Sequence, residues 1–313
     1  ETVSCRDLNG TRVSMSVGVI PGPTAVIEVA DAVGFSRKND QTPPIGRRSS
    51  FGVGQLIKKT LDLGYRKIWI GLGGSLTADL GLGALAALGM RFFDADDAPV
   101  DTCPEALSEI VRIDREELDP RLAQTEITLL YDVTAPLLGE NGALRVFGPQ
   151  KGATEEQITQ WETEFERLSG MLGGDPAAKG SGAAGGLGFG LASIGGMLIS
   201  GADKILDRIG LQFAMRETDF VITGEGSFDT QSIRFRKAPV AVMELLFSND
   251  RPGCLFVGKS GVDSYELLRG YPKLRGIITC PACDEPYEDT IARTFERDVL
   301  PMIGKDVANT SDL

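Results

Sequence analysis

The chain contains no histidine. That absence removes His-based triads, imidazole general bases and His metal ligands together, so any chemistry must run on carboxylates, lysine, arginine, hydroxyls and backbone N–H groups. The carboxylates that stand out close apolar runs. Asp132 follows ITLLY (Ile127 to Tyr131), which reads as a buried strand, and the carboxyl end of a strand is where open α/β sheets bind ligands. DFVI (Asp219 to Ile222) reads as another strand, followed by TGEGSFD (Thr223 to Asp229). Glu225 and Asp229 stand there beside Gly224 and Gly226, an arrangement that suits a metal or a phosphate. Lys237 precedes a predicted helix over 238–247 that carries Pro239 in its first turn, so its charge could reach a phosphate held at that helix start.

Two glycine-rich segments invite a related reading. Lys67 to Phe93 opens with Ile68 to Ile70, a buried strand, continues through Gly71, Gly73, Gly74 and Ser75, and turns helical from Asp79 through Leu80, Leu82, Leu85, Leu88 and Met90. A strand, a glycine turn and a helix make an anion site, because glycine lets backbone approach a ligand and a helix start offers unpaired N–H groups; a tight turn of an α/β domain has the same pattern. The segment lacks the GxxxxGK[ST] of phosphate loops, and Leu76 replaces the third glycine of GxGxxG. Lys179 to Gly190 (KGSGAAGGLGFG) leads into a predicted helix from about Leu187 to Ile199. Its glycines alternate with Ala, Leu and Phe rather than Ser, which favours close packing or approach to a ligand over a flexible linker.

The elements that would hold these groups follow from periodicity. Val13 to Val19 alternates as a half-exposed strand, and Ala25 to Val29 is a second strand carrying Glu28. A loop from Phe35 to Ser50 includes Arg47-Arg48-Ser49-Ser50, either an anion contact or a solvated turn. Val53 to Leu63 reads as a helix, and Pro104 to Arg112 as a polar one. Asp132 to Thr154 reads as a long loop bearing Thr134, Glu140, Asn141, Arg145, Gln150 and Lys151, and long ordered loops are commonly functional. Thr154 is the predicted N-cap of an amphipathic helix to about Leu172. Beyond residue 219, strands at Leu255 to Val257 and Gly276 to Thr279 alternate with helices at Ala238 to Phe247, Ser264 to Arg269 and Tyr287 to Met302, the order of a parallel doubly wound sheet.

Composition narrows the function. A length of 313 residues suggests two domains, and a net charge of −12 argues against nucleic-acid or anionic-membrane partners. An anionic substrate would need a local cluster of Lys and Arg. No apolar run reaches the roughly 18 residues of a membrane span, and no stretch reads as a signal peptide. Five sparse cysteines suit reduced thiols and a cytoplasmic setting. Cys280 and Cys283 form CPAC, but without a second CxxC a redox or zinc role is the weaker reading.

Five blocks together resemble the bacterial glycerate kinases, which phosphorylate D-glycerate with ATP: AVIEVA (Ala25 to Ala30), IGLGGSLTADLGLGALAALG (Ile70 to Gly89), DVTAPLLGENGALRVFGPQKGAT (Asp132 to Thr154), GSGAAGGLGFGL (Gly180 to Leu191) and DFVITGEGSFDTQS with KAP (Asp219 to Pro239). Their order and spacing match over essentially the whole chain. The resemblance implies an α/β protein with a flavodoxin-like parallel doubly wound domain and an inserted mixed-sheet domain, residues 1–190 forming the insert and 191–313 belonging to the flavodoxin-like part, with the active site in the cleft between them. It implies ATP with Mg²⁺ as cofactors, a small-molecule substrate, D-glycerate, no nucleic acid and no membrane; a homodimer is compatible with it. Under it, Gly73, Gly74, Ser75, Gly182, Gly185, Gly186 and Gly224 contact phosphates or substrate. Lys151, Arg145 and Lys237 neutralise charge, Asp79 and Asp132 serve as base or ligand, and Glu225 and Asp229 hold metal or act as base. The resemblance favours the 2-phosphorylated product.

Three departures from the family pattern bear on this. Starting at Glu1, the chain looks to lack an N-terminal segment whose motifs, resembling PDSFK and DGGEG, carry a lysine and acidic residues. The family's Asn-Asp-Gly-Gly is Ala78-Asp79-Leu80-Gly81 here. The glycine usually before the lysine of Lys-Ala-Pro is Arg236, whose bulk and charge are expected to alter phosphate contact. These departures keep two other readings open: a non-catalytic homologue that binds a sugar acid or nucleotide, and a kinase for another small hydroxy acid.

Overall fold

The structure of the protein is a computed structural model that describes residues 1–280 and 287–310. Cys283, and with it the CPAC pair, lies outside the described residues. The chain divides into two compact units, Glu1–Gly201 and Ala202–Leu313.

The first unit is built on a five-stranded sheet. A hairpin of β1 (Thr2–Arg6) and β2 (Arg12–Ser16) leads into β3 (Gly18–Ile20) and β4 (Thr24–Glu28). One helical turn, α1 (Ala30–Val33), and α2 (Phe51–Asp62) connect to β5 (Lys67–Gly71). Then come α3 (Leu82–Ala87), the small pair β6 (Arg91–Phe93) and β7 (Arg112–Asp114), and β8 (Glu126–Tyr131). The unit closes with α4 (Ala143–Lys151), α5 (Glu155–Leu172), α6 (Leu187–Ala192) and β9 (Met197–Ser200). Sheet order is β3-β4-β5-β8-β9, parallel except for β3, which makes it mixed. The central strands read as unbroken apolar runs because Ile68 to Ile70 and Ile127 to Leu130 are buried on both faces. α5 shows why its sequence signal was clear. Thr154 and Gln157 form a reciprocal capping box, and Ile158, Trp161, Phe165, Leu168 and Leu172 line its one buried stripe.

Local expectations fail where glycine and proline mislead. Residues 143–151 form α4 rather than loop, because Ala143, Leu144, Gly148 and Lys151 are buried; Pro149 sits near its end and sacrifices a hydrogen bond there. The helix predicted over 187–199 stops at Ala192: Gly195 adopts φ 100°, and the chain turns into β9, which pairs with β8 from Thr128↔Met197 to Tyr131↔Ser200. That pairing keeps residues up to Gly201 with the first unit, beyond the expected division after 190. Pro104–Glu109 is a 3₁₀ turn followed by β7, not one polar helix.

The second unit begins with two short helices that sequence reading passed over, α7 (Gly201–Arg208) and α8 (Leu211–Arg216). β10 (Val221–Phe228), α9 (Thr230–Arg234), α10 (Ala238–Ser248), β11 (Gly253–Ser260), α11 (Ser264–Gly270) and β12 (Leu274–Thr279) alternate as predicted and form a parallel sheet in the order β10-β11-β12. α12 (Tyr287–Thr294) and α13 (Leu300–Thr310) follow, joined by a π-helical turn at Phe295–Val299. Phe228, Val240, Met243, Leu246, Leu255 and Val257 form its main core. Both units are α/β. Among the described residues no helix is long and apolar enough to cross a membrane.

Candidate active site at the strand ends

In the first unit β4, β5 and β8 run parallel, so Glu28, Gly71 and Tyr131 finish at the same edge of the sheet. Past that edge lie the turn Gly71 to Ser75 and the exposed Asp132. A Cβ on Gly71 would sit 2.1 Å from Glu28 Oε2, and one on Gly73 would sit 3.2 Å from Asp132 Oδ2. The two carboxylates therefore flank the turn. Loss of water around the Glu28 carboxyl, then the fields of Asp31 and Asp132, push its pKa up.

The turn itself is short of partners. The amides of Leu72 and Leu76 donate to Leu130 O and Val33 O, but those of Gly73, Gly74 and Ser75 donate to no group among the described residues. Gly74 holds φ 70°, which glycine reaches at no steric cost. Three consecutive N–H groups without a partner among the described residues are available to an anion at this strand end.

Beneath the turn is a buried polar layer. Lys151 Nζ donates to Ser75 Oγ (3.1 Å) and to the carbonyl of Thr77 (2.8 Å). Burial pushes its pKa down to about 8, with Asp79 and Asp132 pulling upward and Arg48 pushing further down. Arg48 ties the same layer together by donating to the carbonyls of Pro43, Leu76 and Lys151. Thr77 Oγ1 is buried without a partner among the described residues. Lys151 is 7% exposed, and its ammonium holds the turn from within the protein through Ser75 and Thr77.

Asp79 is corrected more sharply. Its side chain is 0% exposed. It accepts hydrogen bonds from Ser50 N (2.6 Å), Ser50 Oγ (2.8 Å), Gly81 N (3.2 Å) and Gly83 N (3.2 Å). Burial pushes its pKa up and these donors oppose the shift. A carboxylate so enclosed fastens the start of α2 to the start of α3; it is not placed to be a base or ligand. Arg145 is also diverted, since its guanidinium pairs with Glu162 at 2.6 Å.

The second glycine segment has another task. Gly182, Gly185 and Gly186 are buried, and Cβ atoms there would lie 2.2 Å from Pro136 O, 2.1 Å from Thr77 O and 3.0 Å from Leu80 Cα. The close approach these glycines permit is to the protein's own backbone, not to a phosphate.

In the second unit β10 runs on through TGEGSF, so Glu225 lies within the strand rather than in a turn after it. Gly224 is the point of closest approach to β11, where a Cβ would meet Phe256 O at 1.7 Å, so it serves strand packing instead of phosphate contact. Glu225 Oε1 is buried with no partner among the described residues. Asp229 caps α9, with Oδ1 accepting from Gln231 N and Ser232 N. Lys237 is the N-cap residue of α10, and its side chain makes no capping bond.

Both substituted family glycines now have a physical account. Leu80 has φ 57° and Arg236 φ 52°, the left-handed region that glycine enters freely. Leu80 is fully buried in the core that includes Leu82, Leu85 and Phe189, a gain that offsets the strain. Arg236 pairs with Asp203 (2.8 Å) and Glu244 (2.7 Å), so its charge is engaged within the unit.

Glu28 was missed as a site residue, although it obeys the rule that singled out Asp132: a carboxylate closing an apolar strand. Parallel strands ending in carboxylates and a glycine turn with unpartnered amides, without histidine, define an α/β protein whose site offers carboxylates and backbone donors. The sequence model of the Glycerate kinase family matches residues 1–296, and the chain belongs to that family. It is similar to "Glycerate kinase" of Haemophilus influenzae (41% identity, 75% of this chain and 65% of the relative). It is similar as well to "Glycerate 2-kinase" of Escherichia coli (37%, 78% and 65%). It also resembles the crystal structure of a protein proposed to be glycerate kinase 2 from Salmonella typhimurium LT2, with TM-score 0.77, 30% identity, and coverage of 100% of this chain and 83% of the other. The chain spans about 65% of the length of the first curated relatives it matches.

Proposed function

We propose that this protein is an ATP-dependent glycerate kinase that transfers a phosphoryl group to a hydroxyl of D-glycerate, giving 2-phosphoglycerate, and that it works in the cytoplasm. The observation that carries the reading is the trio of unpartnered amides at Gly73, Gly74 and Ser75, set between Glu28 and Asp132. In this reading the amides bind the glycerate carboxylate, which needs several donors and gains no specificity from a lone cation. The substrate then presents a hydroxyl to Asp132, the exposed carboxylate beside the turn, which takes its proton as the phosphoryl group arrives. Glu28, whose carboxyl burial and the nearby carboxylates push toward the protonated form, lines the other side of the turn facing a second substrate oxygen. Lys151 holds the turn through Ser75 and Thr77, so the donors do not have to reorganise during reaction.

Phosphoryl transfer needs charge neutralisation more than covalent chemistry, and Mg²⁺ bound with ATP would supply it. Glu225 fits that ion, since Oε1 is out of solvent and unpartnered; Asp229 fits through Oδ2, because its capping bonds occupy Oδ1. In this reading Lys237, the N-cap residue of α10, steadies a phosphate. The 2-position is supported by the name of the Escherichia coli relative, "Glycerate 2-kinase".

The test is ADP release by the purified protein with D-glycerate, ATP and Mg²⁺, with the product identified by phosphorus NMR. Turnover restricted to D-glycerate and a 2-phosphorylated product support the reading. Binding of glycerate without ADP release would convert it to that of a sugar-acid binder, and turnover on another hydroxy acid alone would move the substrate.

A further inference from the structure

A second cationic feature lies away from the strand ends. The hairpin β1–β2 and helix α2 enclose a cleft of ≈ 340 Å³ lined by Arg6, Arg12, Lys58 and Lys59 together with Cys5, Gln55 and Asp62. We infer that this cleft binds a small, multiply charged anion of the phosphate class, at a site separate from the proposed glycerate site.

Four cations line it against one carboxylate, in a chain whose net charge is −12. That carboxylate is already committed: Asp62 Oδ1 takes a hydrogen bond from Arg121 at 2.9 Å, which holds its pKa down, and Oδ2 lies 3.5 Å from Lys59. Arg6, Arg12 and Lys58 form no ion pair among the described residues, although Lys58 lies in the field of Asp119. Arg6 and Arg12 are also direct cross-strand partners. Like charges placed opposite each other on a ladder are destabilising. The arrangement makes sense if an anion spans them. Two guanidinium forks suit phosphate oxygens, and the lysines on the adjacent turn of α2 supply point charges from the other wall. A volume near 300 Å³ is at the small end of ligand pockets, which suits a phosphorylated metabolite better than a whole nucleotide.

The test is calorimetric titration of pyrophosphate into the protein, followed by amide hydrogen exchange with and without it. One saturable site is expected, with affinity falling as salt rises and protection confined to residues 2–16 and 51–62. R6A/R12A is expected to weaken binding at least tenfold, while R6K/R12K, which keeps the charge, stays within about threefold of wild type. Should R6A/R12A lose its fold by circular dichroism, K58A/K59A carries the same expectation. Equal affinity in wild type and R6A/R12A, or no heat and no protection up to about 10 mM, would overturn the inference. Neither measurement involves turnover, so failure here leaves the kinase reading standing, and failure of that reading leaves this site untouched.

Discussion

The two glycine-rich segments of the first unit look alike in sequence and do opposite things in space. Gly71 to Ser75 leaves a strand end, keeps three amides without a partner among the described residues, and at Gly71 and Gly73 lies against the carboxylates of Glu28 and Asp132. Gly180 to Gly190 is buried throughout, and its glycines let it pass within contact of the backbone at Thr77 to Gly81 and at Pro136. The first segment leaves donors without a partner in the protein; the second lets the protein fill its own space. Glycine marks close approach without saying what approaches.

The sharpest way to break that contrast is to give each segment a side chain. Gly185→Val should cost about 4 kcal/mol or more, because φ is +69° and the new Cβ would lie 2.1 Å from Thr77 O; chemical denaturation reads this, and a loss under about 1 kcal/mol would refute the packing role. Next in size is the layer under the open turn. The ammonium of Lys151 releases its proton near pH 8 in the folded protein but near its ordinary 10.5 when unfolded. Between those values the unfolded chain holds the extra proton, so folding stability should rise with pH across that window, by on the order of 3 kcal/mol at most. Lys151→Met should flatten the rise; a persistent slope would place its origin elsewhere.

Asp132→Asn is expected to lower turnover about 100-fold, near 2.7 kcal/mol in barrier, while leaving the melting temperature unchanged. Unchanged turnover would remove Asp132 from the proton-transfer role. The mildest change is Gly73→Ala. Its Cβ meets only the Asp132 carboxylate, with Oδ2 nearest at 3.2 Å, so stability should stay within about 0.5 kcal/mol while turnover falls about tenfold as the carboxylate is displaced. If Gly73→Ala destabilised the protein as strongly as Gly185→Val, the two segments would not differ in kind.

Much of this molecule was legible from local pattern. The apolar runs at Ile68 to Ile70 and Ile127 to Tyr131, the capped stripe from Thr154 to Leu172 and the alternating order beyond residue 219 all form as their periodicity predicts. What failed was local structure decided from a distance. The stretch 143–151 contains Gly148 and Pro149 yet is helical, because its buried face has a core to meet. Residues 197–200 left a helical pattern to pair with β8, whose distance along the chain no window of sequence shows. Asp79 and Asp132 illustrate the same limit within the site, since both are aspartates near glycine turns but one is enclosed by four donors and the other is exposed.

The sequence by itself determined the chemical inventory: carboxylates, lysines and backbone amides without imidazole, carried on strands whose apolar cores announce themselves. Residue type and short-range periodicity are properties of the chain alone, so they survive without coordinates. Only the tertiary structure decided which of those groups face outward. Parallel pairing brought Glu28 level with Gly71, burial turned Asp79 and Lys151 into supports, and Glu162, Asp203 and Glu244 claimed the arginines. Exposure, partner and pKa are set by neighbours that are remote in sequence, and those neighbours exist only once the chain has folded.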